Sequence, residues 1–240
     1  MLKKIRLAVM NQGTSLNMGD ASRVKIASLI QTLDRRYGVV ERLPILPLPS
    51  SADAVAVASV SAKNAQVVAG VVLGLHGSPV DGAESARKLM LHFVDWNEVR
   101  VSRPATLVAV LGRQSRAEAR IVLLHRFLEA YFLRQRCLAL DYLFTLKSHE
   151  VRRFLSDLEI FDREELAAMF LTGFLIPVFP PSDLLRDVAE RAALIKAKTT
   201  TLQMAKMFET ALDVQSMYRL YSHLYSLSND PESKKFLSRH

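Results

Sequence analysis

Apolar residues recur along most of this chain at helical rather than strand spacing. Ile26, Leu29, Ile30 and Leu33 fall on one face of a helix over Ala21–Tyr37, and Tyr37 extends the stripe. Gly38 is placed to end that helix. Three prolines in the next stretch, LPILPLPSS (Leu43–Ser51), predict an extended link. From Ala54 the helical pattern resumes. Ala65–Leu75 reads as a wholly buried helix ended by Gly74 and Gly77, and Asp81 or Ser85 opens the next, which runs to Phe93.

Asp95–Pro104 reads as a polar loop, with Pro104 suited to the first turn of a helix to Leu111. Ser115 is placed to cap a long helix through Arg136, with Ile121, Leu124, Phe127, Leu128 and Phe132 as its core stripe. Ser148 or His149 opens a helix to about Asp157, and Arg163–Phe174 follows. After the rigid link VFPP (Val178–Pro181), helices are expected over Ser182–Lys196, Thr200–Leu212 and Val214–Leu227, with a last short one ending near Arg239. VAVASV (Val55–Val60) alternates, but its small residues also suit a helix. The pattern predicts an all-α fold.

Composition narrows the picture. The chain has 240 residues, 50% of them hydrophobic, enough for one large domain or two small lobes. Lys+Arg number 32 against 24 Asp+Glu, a net charge of +8, and the pI is about 9.7. Such a balance favours anionic partners, nucleic acid first and acidic membrane second. It is also compatible with no such partner, because basic runs stop at pairs. Cys137 is the sole cysteine, which excludes a disulfide framework, a cysteine zinc site and an iron–sulfur cluster. No metal and no other cofactor is expected. MLKKIRLAVMNQG is too short for a signal core, and the apolar stretch Ala65–Leu75 is far below a membrane span. The expectation is a soluble cytoplasmic protein in a reducing compartment, without a membrane partner.

Chemistry-bearing residues are sparse. The six histidines, at positions 76, 92, 125, 149, 223 and 240, pair with no carboxylate at ligand spacing, and His92 and His125 read as partly buried packing residues. Trp96 reads as a ring anchoring its loop rather than a base-stacking surface. No phosphate-binding glycine loop of the G-x-x-x-x-G-K-[ST] type occurs. The odd feature is the connector between two amphipathic segments. From Glu159 to Glu165 it has no glycine, and Glu159, Asp162, Glu164 and Glu165 are acidic.

The order of segments resembles the helix-hairpin-helix DNA glycosylase superfamily, the endonuclease III family, and within it an endonuclease III-related group of planctomycete bacteria. The resemblance rests on LDRRYG, AQVVAGVVLGLHG, HFVDWNEVRVSRPATLVAVLG, RRFLSDLEIFDREELAAMFLTGF and IPVFPPSDLLRDVAERAALI, which span about Ile26 to Ser228. Residues 1–20 read as an arm; the resemblance implies a six-helix barrel over about 55–179 with its hairpin near 150–174, and a second helical lobe made of 21–54 with 180–240. It also implies DNA bound across the cleft between lobes.

The family's hairpin reads Leu-Pro-Gly-Val-Gly, and its two glycines let backbone amides approach a phosphate. Aligned without gaps, Leu158 and Phe161 keep apolar character, Glu159 replaces the proline, and Ile160 and Asp162 stand at the glycines. Asp162 and Glu165 instead have the spacing of a capping box. The family's catalytic lysine position is Glu164, and a carboxylate cannot form a Schiff base. The family's catalytic aspartate position is Ser182; a one-residue shift would bring in Asp183.

Candidate phosphate contacts are Arg100, Arg103 and Arg113 around the tryptophan segment, Arg116 and Arg120 on the long helix, Arg152, Arg153 and Arg163 around the hairpin, and Lys196 and Lys198 in the second lobe. The resulting expectation is a catalytically degenerate relative of endonuclease III, leaning away from an enzyme, that binds DNA or structured RNA. Two alternatives stay open: a protein-interaction module on the same scaffold, and a monofunctional glycosylase using Asp183.

Overall fold

The computed structural model describes residues 20–40, 54–75, 78–112 and 116–237. Within them every regular element is a helix and none is a strand, as the apolar spacing predicts. In chain order these are α1 (Asp20–Tyr37), α2 (Ala54–Gly74), α3 (Pro79–His92), α4 (Trp96–Val101), α5 (Pro104–Leu111), α6 (Ala117–Gln135), a 3₁₀ turn (Leu140–Phe144), α7 (Ser148–Ser156), α8 (Arg163–Phe174), α9 (Asp183–Arg191), α10 (Thr201–Ala211), α11 (Val214–Asn229) and α12 (Ser233–Leu237). The arm up to residue 19, the LPILPLPSS link, His76, Gly77, Arg113, Ser115 and His240 lie outside the described residues.

Capping chemistry sets most helix starts. Reciprocal capping boxes open α3 (Ser78 with Asp81), α8 (Asp162 with Glu165) and α10 (Thr200 with Gln203). Asp95, Ser182 and Asp213 cap α4, α9 and α11 singly.

Several boundaries differ from expectation. Ser78 opens α3, so Asp81 is its third residue and not its cap. The expected polar loop after Asp95 contains α4, held because Trp96 and Val99, three residues apart, are both buried. Arg116, at φ 57, precedes α6 and makes no side-chain cap. Helix α9 stops five residues before Lys196: Ala193 takes φ 51, and the Leu194 amide donates back to Ala189 O at 2.9 Å. Helix α2 starts well before Ala65. Over Val57–Gly74 it is long and apolar enough to cross a membrane by length and composition, which corrects the shorter stretch read from the sequence. Half of that window is buried, and α2 packs on α3, α6 and α8.

Two apolar clusters form the core. The first gathers α2 to α7 around Leu73, Leu89, Ile121, Leu124, Phe127 and Tyr131. The second gathers α1, α9, α10 and α11 around Ile26, Leu33, Phe179, Val188, Phe208 and Leu224. Helix α8 belongs to both: Met169 and Phe170 face the first, Ala168 and Leu171 the second. In α6, Phe132 is only half-buried and Tyr131 takes the core position expected for it.

The α2–α3 contact depends on glycine. A Cβ at Gly82 would stand 2.2 Å from Gly70 O and 2.5 Å from Gly74 N, both rigid backbone atoms. Gly82→Ala is therefore expected to cost about 3 kcal/mol of stability by overpacking, measured by urea unfolding. A Gly112→Ala control bears on backbone strain alone, since nothing lies within 4 Å of a Cβ there.

Helices α1 and α11 hold each other through reciprocal carboxylates. Asp34 of α1 pairs with Arg219, and its Oδ1 lies 2.8 Å from His223 Nε2, on a fully buried imidazole. Asp230, just after α11, accepts from Arg36 and from the Tyr37 hydroxyl, each at 2.6 Å. The Tyr37 hydrogen bond and the Arg36 charge hold Asp230 down at about 2. Burial, reinforced by the Asp230 hydrogen bond, pushes Tyr37 up to about 12. A lowered carboxyl stabilises the fold above its unfolded value of 3.8 and loses that contribution as pH falls through about 2. A raised phenol stabilises below its unfolded value of 10.0 and loses that contribution as pH rises through about 12. Tyr37→Phe should therefore lower the melting temperature at neutral pH and flatten its decline at both extremes, measured by circular dichroism across pH.

Candidate functional site

The connector between α7 and α8 is built from its own side chains. After α7, the Glu159 amide donates to Ser156 O at 3.2 Å, and Glu159 takes φ 55. A proline is locked near −65° and has no such amide, so this backbone differs from a Leu-Pro-Gly-Val-Gly connector at the proline position. Ile160 and Asp162, at the glycine positions, have no positive φ. Leu158, Ile160 and Phe161 instead pack on the first apolar cluster. The expected capping box is present: the Glu165 amide donates to Asp162 Oδ1, and the Asp162 amide donates to Glu165 Oε2, both at 2.8 Å. Protein carboxylates thus occupy the helix end where an external anion would bind.

One residue into α8, Glu164 stands where α8, α9 and α11 meet. It reaches solvent, yet the protein around it pushes its carboxyl up by burial. Asp162, Asp183 and Glu165 push it further, and the nearby Ser182 hydroxyl offsets part of the shift. Ser182 also caps α9. Asp183 points outward: its side chain is 89% exposed, and its nearest cation is Arg186 at 3.7 Å. Behind Glu164, burial raises the phenols of Tyr221 and Tyr225 of α11, and the Glu164 charge adds to each shift. Tyr225 also feels Arg116, Arg120 and Asp81. The structure thus brings together Glu164 and Ser182, the residues expected at the two catalytic positions, and leaves Asp183 turned to solvent.

A separate cavity between α2, α3, α8 and α11, lined by Gly70, Gly74, Ala83, Thr172, Tyr218 and Tyr221, holds about 30 Å³, room for one or two waters. Neither Glu164 nor Ser182 lines it.

The expected phosphate contacts do not gather here as a free set. Arg120 is the largest fully buried side chain, 2% exposed, and reaches Asp81 Oδ2 at 3.4 Å. Arg100 pairs with Glu129 at 2.7 Å and lies over the Phe132 ring. Arg153 extends into solvent near Asp157, and Arg152 lies 5.1 Å from the Phe170 ring centroid. Arg103, Arg116, Arg163, Lys196 and Lys198 are exposed and make no ion pair among the described residues. Trp96, 6% exposed, packs inside the first cluster, as expected of an anchoring ring. His92 is exposed, with its Nδ1 3.0 Å from Lys88 O, against the expectation of a partly buried ring. Among the described residues no group of three or more His, Cys, Asp or Glu could hold a metal ion, and Cys137 is an exposed free thiol.

A larger feature escapes sequence reasoning. On another face of α8, a groove of about 640 Å³ runs between α8 and α10. Leu166, Ala167, Phe170, Val178, Pro181 and Leu202 supply apolar lining, and Arg163 and Lys206 supply cations. Each helix contributes a legible stripe at i, i+3, i+4 and i+7, but the pairing of the stripes is a tertiary fact.

No family model matches the chain, and no curated protein matches it.

The site makes its own prediction. A carboxyl raised in the fold favours folding below its unfolded value of 4.5 and loses that advantage as pH rises through the raised value. At neutral pH the Glu164 charge therefore destabilises. Glu164→Gln should raise the melting temperature at neutral pH and leave it unchanged near pH 4, measured by thermal denaturation.

Proposed function

We propose that this chain is a non-catalytic binding protein on an endonuclease III-like helical scaffold, and that its partner is a protein. The two apolar clusters with α8 between them support a scaffold of that two-lobed type. The observation that carries the functional reading is Glu164. A carboxylate stands there among other carboxylates, where the resemblance to a glycosylase of this kind would require an amine. An amine nucleophile is required for Schiff-base chemistry, and an acidic, self-capped helix end disfavours a phosphate by charge and by geometry. Asp183, exposed to solvent, gives no support to base release through that residue.

A second reading has one observation in its favour. Arg103, Arg116, Lys196 and Lys198 are exposed without ion pairs among the described residues, and a residual nucleic-acid contact would run through them.

Two assays on the full chain separate these outcomes. Borohydride trapping and base release on damaged and abasic duplexes are expected to be negative. Fluorescence anisotropy with duplex, abasic and structured RNA ligands at low ionic strength is expected to show no salt-sensitive binding. A trapped adduct or released base overturns the non-catalytic reading. Salt-sensitive binding that is lost in Arg116→Glu/Lys196→Glu/Lys198→Glu replaces the protein-partner reading with the nucleic-acid one.

A further inference from the structure

The groove between α8 and α10 names the kind of partner. Helix α8 turns Arg163, Leu166, Ala167 and Phe170 toward it, and α10 turns Leu202, Ala205, Lys206 and Glu209. Both sets follow i, i+3, i+4, i+7, so two helix stripes face one trough, with Val178, Phe179 and Pro181 of the proline link also lining it. The lining is apolar, and Leu202 on α10 is 49% exposed.

The charges around this trough are unequal. Arg163 and Lys206 line it, exposed and without ion pairs among the described residues. Beside it, Arg152 of α7 holds its guanidinium 5.1 Å from the centroid of the Phe170 ring. Among the described residues the lining carboxylate is Glu209, and its Oε1 accepts the Phe179 amide at 2.9 Å. Two cations from two helices therefore line the trough, against one acid that is engaged with the backbone.

We infer that this groove docks an acidic amphipathic segment of a partner protein, its apolar side chains over Leu166 and Leu202 and its carboxylates toward Arg163 and Lys206. Charge complementarity selects this occupant. A basic segment meets like charges at Arg163 and Lys206. A single-stranded nucleic acid would want open aromatic faces for stacking, and Phe170 and Phe179 are buried. The inference rests on the protein-partner reading above and specifies its surface.

Panning a library of random helix-length peptides on the full chain tests it. Recovered peptides are synthesised with a fluorescent label and titrated by anisotropy against wild type, Leu202→Glu, Lys206→Glu and, as a control away from the groove, Arg103→Glu. Leu202, Lys206 and Arg103 are exposed, and thermal melts of each variant check the fold. The expected result is enrichment of Asp and Glu with apolar residues at helical spacing. Affinity should weaken about tenfold or more in Leu202→Glu and in Lys206→Glu and stay unchanged in Arg103→Glu.

No enrichment, enrichment of basic sequences, or affinity indifferent to Leu202→Glu overturns the inference. So does concentration-dependent dimerisation of wild type, by sedimentation, that Leu202→Glu abolishes, since the occupant is then a second copy. The two proposals fail separately. Groove-mapped acidic binders together with salt-sensitive nucleic-acid binding would sink the functional reading and leave the groove. Negative nucleic-acid assays together with failed panning would do the reverse.

Discussion

Helix α8 is buried on two sides, and the rest of the molecule is arranged around that burial. Its residues from Ala167 to Gly173 are all buried, with Met169 and Phe170 in one apolar cluster and Ala168 and Leu171 in the other. Each large apolar side chain so placed contributes roughly 1.5–3 kcal/mol. A helix wedged in this way has no freedom to rotate. Its first turn is therefore fixed where the two clusters part, and its flanks are fixed too: Glu164 toward α9 and α11, Arg163 and Leu166 toward α10. The site at one flank and the groove at the other are two consequences of one packing constraint.

The first turn of α8 is closed by its own side chains. A helix N-terminus in search of an anion binds phosphate when glycines bare its amides. Here Asp162 and Glu165 satisfy two amides reciprocally, and Ile160 and Phe161 are drawn into the core. The gain is a cap worth about 1 kcal/mol; the consequence is an acidic helix end. Glu164 then sits among like charges beside Ser182, and its charge costs stability at neutral pH. Positive charge survives elsewhere. Arg120 is committed to the interior with Asp81 and Arg100 to Glu129, while Arg163 and Lys206 line the apolar trough and Arg152 lies over the Phe170 ring.

Much of this was legible in the sequence, for local reasons. The bounds of α8, its capping box and the Ser182 cap follow from side chains three residues apart. The α1 and α6 stripes follow from apolar period, and glycine ends α1 at Gly38, φ 85. The misses share a cause in tertiary structure or in a missing local signal. Helix α4 is too short for a period to register. Leu194 and Ile195 carry the apolar pattern past the end of α9, because Ala193 turns left-handed without a glycine to announce it. Asp81 and Arg120 are 39 residues apart, and Asp34 and His223 are 189 apart, so neither pair was visible in local spacing. The residues of the acidic connector could be named from the chain. The surroundings of Glu164 and the groove beside Arg163 needed the packing.

The carboxylates of Asp162 and Glu165 should keep external anions from the N-terminus of α8. The decisive measurement follows the amide chemical shifts of Asp162, Arg163, Glu164 and Glu165 in the ¹⁵N-labelled full chain while inorganic phosphate is added at constant ionic strength. No saturable shift is expected at these four amides. A saturating shift centred on them, with the Asp162–Glu165 capping box intact, would show that this helix end binds anions.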